Sequence, residues 1–321
     1  MKVKCDVCGI REASIYQPHT GLRLCKECFI ENVVKRVREE LIKYELIKPN
    51  ERVLLAISGG KDSFTLLDVM SKIHDTEKIV ALTIIEGIHG YNRESEVRRI
   101  KKYVRERGVD HIVTSFKEYS GYTLDEYVKA ADSKGLRISP CTFCGILRRR
   151  VINAYARELG MDKVATAHNL DDEVQTVLMN ILRGDLIRLM QTHPKGPKLS
   201  MHFVRKVKPL RKIYEWETAV YAYFSGFEFQ ETECPYITSR PSLRAKLREY
   251  LYTLERVSPG SLLNILNTID ELLSGVINDV VKHLPKELPL CIKCGEPTAL
   301  NRKVCKFCEL IDMIGLDVKR G

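Results

Sequence analysis

Ser58-Gly59-Gly60-Lys61-Asp62-Ser63 constrains this 321-residue chain more than any other stretch. It follows the apolar, β-branched run Val53-Leu54-Leu55-Ala56-Ile57 and precedes Phe64, Leu66, Leu67 and Met70, whose spacing suits one face of a helix. The stretch therefore reads as a strand-to-helix turn. Two adjacent glycines let the backbone curl tightly, and the amides at the helix start then point at an anion. Lys61 adds a point charge, Ser58 and Ser63 add hydroxyl donors, and Asp62 suits a bound Mg²⁺ better than bare phosphate. The spacing differs from the Walker P-loop, which has four residues between its first glycine and Gly-Lys-Ser/Thr.

Around this turn, strand and helix patterns alternate from Glu51 to about Tyr236. Strands are expected at Arg52–Ile57, Ile79–Ile85, Ile112–Phe116 and Lys163–Ala167, and helices at Glu94–Arg107, near Leu124–Ala131 and at Cys144–Leu159. Apolar strands separated by helical crossovers imply a parallel sheet covered on both faces, with ligands at the carboxyl ends of its strands. That rule puts Ser58–Ser63, Glu86-Gly87-Ile88 and His168-Asn169-Leu170-Asp171-Asp172 along one edge of the molecule. The expected organisation is a small N-terminal module (1–30), a connecting helix (31–50), the α/β domain (51–236) and a C-terminal helical segment with a second small module (237–321). Ser242–Leu254 and Ser261–Val281 read as its two amphipathic helices.

Eight of the 11 cysteines fall in two terminal quartets, Cys5-x2-Cys8-x16-Cys25-x2-Cys28 and Cys291-x2-Cys294-x10-Cys305-x2-Cys308. Two thiolates on one tight knuckle take adjacent corners of a tetrahedron, so paired Cys-x2-Cys units read as zinc sites in preference to disulfides. A module as small as residues 1–30 needs such a metal in order to fold. The remaining three are Cys141, Cys144 and the distant Cys234. Cys141-Thr142-Phe143-Cys144 precedes a helix opening Gly145-Ile146-Leu147-Arg148-Arg149-Arg150, so the helix dipole and arginines are expected to make these thiols acidic and reactive. Three cysteines suit an iron–sulfur cluster with one iron lacking a protein ligand, or a redox pair plus a persulfide carrier. In Thr166-Ala167-His168-Asn169-Leu170-Asp171-Asp172-Glu173, two carboxylates stand at a helix start, where Asp171 serves as a cap or both acids hold Mg²⁺ beside the phosphate loop.

The motif Ser-Gly-Gly-Lys-Asp-Ser resembles the PP-loop of the ATP pyrophosphatases, and the stretch Thr166–Glu173 resembles the second signature of PP-loop thiolases. Read in order, zinc quartet, PP-loop, Cys-Thr-Phe-Cys, His-Asn-Leu-Asp-Asp, Glu233-Cys234-Pro235-Tyr236 and zinc quartet, nearly the whole chain resembles the tRNA-5-methyluridine(54) 2-sulfurtransferase family, kin of the uridine-34 thiolases. The resemblance implies an α/β, Rossmann-like PP-loop ATP pyrophosphatase domain with a parallel sheet, flanked by N- and C-terminal zinc modules, each held by a cysteine quartet. It implies Cys141, Cys144 and Cys234 as ligands of a [4Fe-4S] cluster that are catalytic together with Lys61 and Asp172. It implies ATP or Mg²⁺ contacts at Ala56, Ile57, Ser58, Gly59, Gly60, Lys61, Asp62, Ser63, Ile85, Arg148, Ala167, Asp171 and Asp172, with Arg148 standing where some relatives have Lys. A homodimer and a ubiquitin-like sulfur carrier protein ending in a thiocarboxylate are the implied partners beside tRNA. The implied activity adenylates the C2 oxygen of a uridine, 5-methyluridine 54 being favoured, and replaces it with sulfur.

A formal charge of +10 favours a polyanionic partner. Two zinc sites with four thiolates each would lower it to about +6, still basic. Candidate RNA-gripping residues lie in Arg183–Arg188, Lys195–Lys212 and Arg240–Arg248, where solvated charged faces account for the same pattern. Tyr214, Trp216, Tyr221, Tyr223 and Phe224 have helical spacing and are expected in the core. Met1–Cys5 does not resemble a signal peptide and no run of about 18 apolar residues occurs, so a cytoplasmic protein without membrane partners is expected. The competing readings are uridine-34 thiolation, an amide-forming PP-loop ligase using ammonia, and a zinc-bearing RNA-binding protein without chemistry. The ligase reading gives Cys141, Cys144 and Cys234 no task.

Overall fold

The computed structural model of the chain describes residues 3–91, 94–229, 232–236, 243–283 and 287–317. A hairpin of β1 (Ile15–Gln17) and β2 (Leu22–Leu24) opens it and leads into α1 (Lys26–Lys43). The expected connecting helix thus starts inside the N-terminal module: Cys25 caps it and Cys28 lies in its first turn, so the boundary at residue 30 cuts through a helix. The knuckle and the helix start are one object, which a boundary drawn by composition divides.

Five parallel strands form the central sheet: β3 (Val53–Ala56), β4 (Ile79–Ile85), β5 (Asp110–Ser115), β6 (Lys163–Ala165) and β7 (Arg205–Val207), in the order β5-β4-β3-β6-β7. The inner strands are apolar because helices cover both faces; Val53, Leu54, Leu55, Ile79 and Ala81 are wholly buried. The edges tolerate charge, and β7 is an edge strand that the sequence patterning did not show: two of its three residues are cations. After β3 comes α2 (Lys61–Ile73); after β4, α3 (Glu94–Glu106); after β5, α4 (Phe116–Ser120), α5 (Leu124–Ser133) and α6 (Pro140–Glu158). After β6 come α7 (Leu170–Leu182) and α8 (Leu186–Met190), and after β7, α9 (Glu215–Phe224). The strand order reverses between β3 and β6, and there the turns leaving the two strands open a crevice.

The core beneath the crevice joins α1, α2, α9 and the sheet; Phe64 stacks on Phe227 with Tyr103 edge-on to both. Tyr214 and Tyr221 are buried and Trp216 and Phe224 pack on the core as expected, whereas Tyr223 is exposed. Helices α10 (Leu243–Val257) and α11 (Ser261–His283) pack on α7 through Leu251, Leu262 and Leu266. The C-terminal quartet and α12 (Lys306–Ile314) bury Phe307, Leu310 and Ile311 in a second core with α5 and α6. Among the described residues no helix is long and apolar enough to cross a membrane.

Candidate active site

The turn after β3 is built by its own side chains. Gly59 takes φ +88°, and a β-carbon there would come within 2.9 Å of Ile100 Cδ1, so the position requires glycine. The Gly59 amide donates to Ser63 Oγ at 3.0 Å, and that hydroxyl donates to the Gly60 carbonyl at 2.8 Å. Ser63, expected to face the anion, holds the loop closed instead. Ala56 and Ile57 end the strand, Gly60 caps α2, and the helix begins at Lys61. The Lys61 ammonium lies 2.9 Å from Asp62 Oδ2 and 3.1 Å from Glu215 Oε1. Burial alone would lower its pKa, but these two carboxylates outweigh it and hold Lys61 above the ordinary lysine range.

The turn after β6 faces this loop. Asn169 caps α7, accepting from the Asp172 amide at 3.0 Å, and its Nδ2 donates to Asp62 Oδ1 at 3.3 Å. The cap is therefore not Asp171. Asp171 is 5% exposed and accepts the Glu215 amide at 2.8 Å, which ties α9 to α7. Burial pushes its carboxyl up to about 6. Asp172 is raised by burial despite Arg244, whose Nη1 lies 3.2 Å away. His168 donates to or accepts from Thr166 Oγ1 at 2.8 Å, and burial with Lys208, Lys206 and Arg244 pushes it down to about 3, so it is neutral. Ala167 packs on the core.

The third wall is α6, which starts at Pro140, so both Cys141 and Cys144 sit inside its first turns and not ahead of it. One turn on, Arg148 Nε donates to Glu86 Oε1 at 2.9 Å. Ser58, Ile85, Glu86, Tyr91 and Arg148 line one cleft, which places α6 directly across from the anion loop. Glu86 follows the sharp end of β4, where Gly87 has φ +74° and a β-carbon would meet Thr123 at 2.6 Å. Cys141 is exposed, Cys144 and Cys234 half-buried. Cys141, Cys234, Arg148 and Glu86 all lie within electrostatic reach of Cys144, and Cys144, Cys234 and the cleft residue Tyr91 pack on the same apolar cluster. The acidity expected of Cys144 is corrected: burial pushes it up to about 11 and outweighs Arg148. Burial likewise raises Cys234.

The two quartets are a different kind of site. In each, the four thiols lie within 4.8 Å of one another, the spacing one tetrahedral ion requires. Among the described residues no other cysteines close this far, and the open triad of Cys141, Cys144 and Cys234 suits a larger cluster better than a single ion. Arg150 of α6 donates toward Cys294 and Cys305 at 3.6 and 3.8 Å and stacks on Phe307.

Several residues of this site carry no local sequence signal. Glu215 accepts from Lys61, from Arg248 at 2.8 and 2.9 Å and from Tyr252; Thr218 donates to Asp62. Each pairing spans more than 30 positions, and acids before an amphipathic helix read as ordinary first-turn residues. Arg244 and Arg248 belong to a basic run expected to grip RNA, and Arg240 of that run lies outside the described residues. The arrangement joins an anion-binding helix start, cations and clustered thiols in one cleft, which is suited to activating an oxygen with a phosphate and replacing it with sulfur.

The PP-loop domain family matches residues 30–252, and the N-terminal LIM domain of the 2-thiouridine synthetase TtuA matches residues 4–30. Cytoplasmic tRNA 2-thiolation protein 1 of Oryza sativa is 34% identical over 96% of this chain and 82% of its own length. A probable sulfurtransferase of Methanocaldococcus jannaschii is 33% identical over 94% and 85%. The solved U34-tRNA thiolase NcsA from Methanococcus maripaludis with its [4Fe-4S] cluster is 32% identical over 99% of this chain and 98% of its own, with a TM-score of 0.79.

Proposed function

The chain belongs to the PP-loop family that includes the tRNA 2-thiolation proteins, and from that membership we propose that it is a tRNA sulfurtransferase that uses ATP to replace the C2 oxygen of a uridine with sulfur. The observation that carries this reading is the shared cleft: Ser58 of the anion loop and Arg148 of the cysteine helix line it together, with Cys144 one turn away. The loop amides and Lys61 bind the phosphates. The uridine oxygen bonds to the α-phosphorus and diphosphate leaves; sulfur then bonds to C2, the C2–O bond breaks, and AMP departs with the oxygen. Charge developing on the phosphates meets Lys61 and the start of α2. Asp62 and Asp172 are the residues that would hold Mg²⁺, and Asp171 supports them by fixing α9. Cys141, Cys144 and Cys234 would hold a [4Fe-4S] cluster, the group the NcsA structure contains, and such a cluster would supply an iron without a protein ligand as a site for sulfur. The two quartets fit structural Zn²⁺.

The position modified is a uridine at 34 on the first reading, because a relative of known structure matched end to end is a U34-tRNA thiolase. The motif order alone favoured 5-methyluridine 54, but that order is shared by both kinds of enzyme and so does not discriminate. Thiolation at 54 is kept as the alternative outcome of the test. A thiocarboxylate-bearing, ubiquitin-like sulfur donor, a homodimer and a cytoplasmic location complete the proposal. Nucleoside analysis of tRNA from a deletion strain tests it: 2-thiouridine is expected to vanish at 34, and loss at 54 instead transfers the assignment. Anaerobic reconstitution with iron and sulfide, followed by incubation with ATP and tRNA, is expected to release AMP and to lose thiolation when Cys141, Cys144 or Cys234 is changed to Ala. Absence of AMP would favour an RNA-binding protein without chemistry.

A further inference from the structure

We propose that Arg244 and Arg248 of α10 form the clamp for the β and γ phosphates of ATP and for the diphosphate it becomes; this rests on the reading of the cleft as an ATP site. Arg248 Nη2 and Lys61 Nζ share one acceptor, Glu215 Oε1, at 2.8 and 3.1 Å. The two cations therefore lie no farther apart than those distances added together, which puts Arg248 beside the anion loop. One turn earlier, Arg244 reaches Asp172 Oδ1 at 3.2 Å and Thr176 Oγ1 at 2.9 Å, at the start of the helix that faces the loop. Arg244, Arg248 and Tyr252 recur every four residues, so one stripe of α10 is turned toward the crevice.

Charge decides what that stripe is for. In this structure the ion pairs match Asp62, Asp172 and Glu215 to Lys61, Arg244 and Arg248, while Asp171 is engaged by the Glu215 amide. A polyphosphate adds several negative charges, and Lys61 alone cannot offset them. Guanidinium forks match phosphate oxygens in pairs, and the two forks are held by carboxylates at the cleft, with the side chains of Arg244 and Arg248 close to half exposed. The helix that carries them is anchored elsewhere, through Leu251 and Leu254 against α7 and α11, so the arginines can change partners while α10 stays seated. The sequence stretch containing them was expected to grip RNA; their contacts point to the nucleotide.

The test is calorimetric binding of inorganic diphosphate, ATP and AMP in magnesium buffer to the full chain without tRNA. Arg244→Ala and Arg248→Ala are each expected to weaken diphosphate and ATP binding roughly 10- to 100-fold, the loss of a charge-assisted contact, and to leave AMP binding within about twofold. Arg248→Lys is expected to recover part of the loss. Glu215→Gln breaks the same ion pair while sparing the arginine, and is expected to hold or tighten diphosphate binding. If Glu215→Gln weakens diphosphate as Arg248→Ala does, or if AMP and ATP weaken equally, the pairs only fasten α10 and the proposal fails. Failure of the unaltered protein to bind ATP would instead remove the ATP reading on which it rests.

Discussion

Arg148 and Glu86 meet at the inner end of the cleft, a half-exposed guanidinium against a buried carboxylate. Arg148 brings positive charge toward Cys144: burial has driven that thiol up to about 11, the Glu86 carboxylate adds to the rise, and Arg148 is the influence pulling the other way. If charge is the contribution, Arg148→Lys should thiolate tRNA within about tenfold of the unaltered protein, while Arg148→Ala should lose roughly 100-fold. Single-turnover thiolation under anaerobic conditions separates the cases, and equal losses in the two variants would assign the role to the fork on Glu86. Urea unfolding of Arg148→Ala should show a loss of about 1–3 kcal/mol, as for removal of a charged hydrogen-bond partner. The residues at this scale differ in how visible they were. Ser58–Ser63 and Asn169–Asp172 were legible because each motif is contiguous and its physics is local: a glycine turn, a helix start. Glu215, Thr218 and Glu86 were not, or only as positions on an edge, because their meaning lies in contacts made between distant segments. The acidity expected of Cys144 failed for the same reason: dipole and neighbours can be read along the chain, whereas burial cannot.

Helix α6 joins two cysteine sites along one rod. Its first turns carry Cys141 and Cys144, and Arg150 reaches the C-terminal quartet and stacks on Phe307. The quartet is thereby a support for the cysteine helix. Cys291→Ser with Cys308→Ser is expected to unfold the C-terminal module, raise hydrogen exchange across 140–158 and lower the iron bound after reconstitution; the matching pair Cys5→Ser and Cys28→Ser should leave that exchange unchanged. Unaltered exchange in α6 after loss of the C-terminal metal would refute the coupling. The pairing of β4 with β5 holds a separate device. His111 Nε2 lies 2.9 Å from Thr83 Oγ1 across the two strands, and burial, with Lys101, pushes the imidazole down to about 4. Above the unfolded-state value of about 6.5 neither state takes a proton, so His111 contributes its full stability; as pH falls toward 4 the unfolded chain is protonated first and that stability is lost. Thermal melting between pH 7 and 4 should therefore fall less steeply in His111→Gln, which keeps a polar partner for Thr83 but cannot titrate. The edge strand β7 marks the limit of element reading: Arg205-Lys206-Val207 is too short and too charged to show a period, and only its place beside β6 makes it a strand.

Across the whole molecule the excess of cations is not spread evenly. Lys206 lies near His168, and burial with Lys208 and Arg149 pushes its ammonium down to about 8. Arg149 is lowered by burial and by Arg188. Among the described residues neither Lys206 nor Arg149 forms an ion pair, whereas Lys208 reaches Glu173 and Arg188 reaches Asp185. Cations that crowd one another with so few acids gain most when a polyanion arrives, since its phosphates replace their mutual repulsion and release condensed counterions. This wall adjoins the thiols, where the backbone of a uridine drawn out of its stack would pass. Affinity for unmodified tRNA should therefore fall steeply with salt, and Lys206→Ala and Arg149→Ala should each reduce the slope of log K against log salt by about 1. Lys35, exposed on α1 and paired with Glu39, serves as the comparison: Lys35→Ala should leave the slope where it was. Filter binding over a range of salt concentrations measures all three. Slopes unchanged in the first two variants would move the RNA path to another face, and a loss in Lys35→Ala as large as theirs would reduce the effect to net charge.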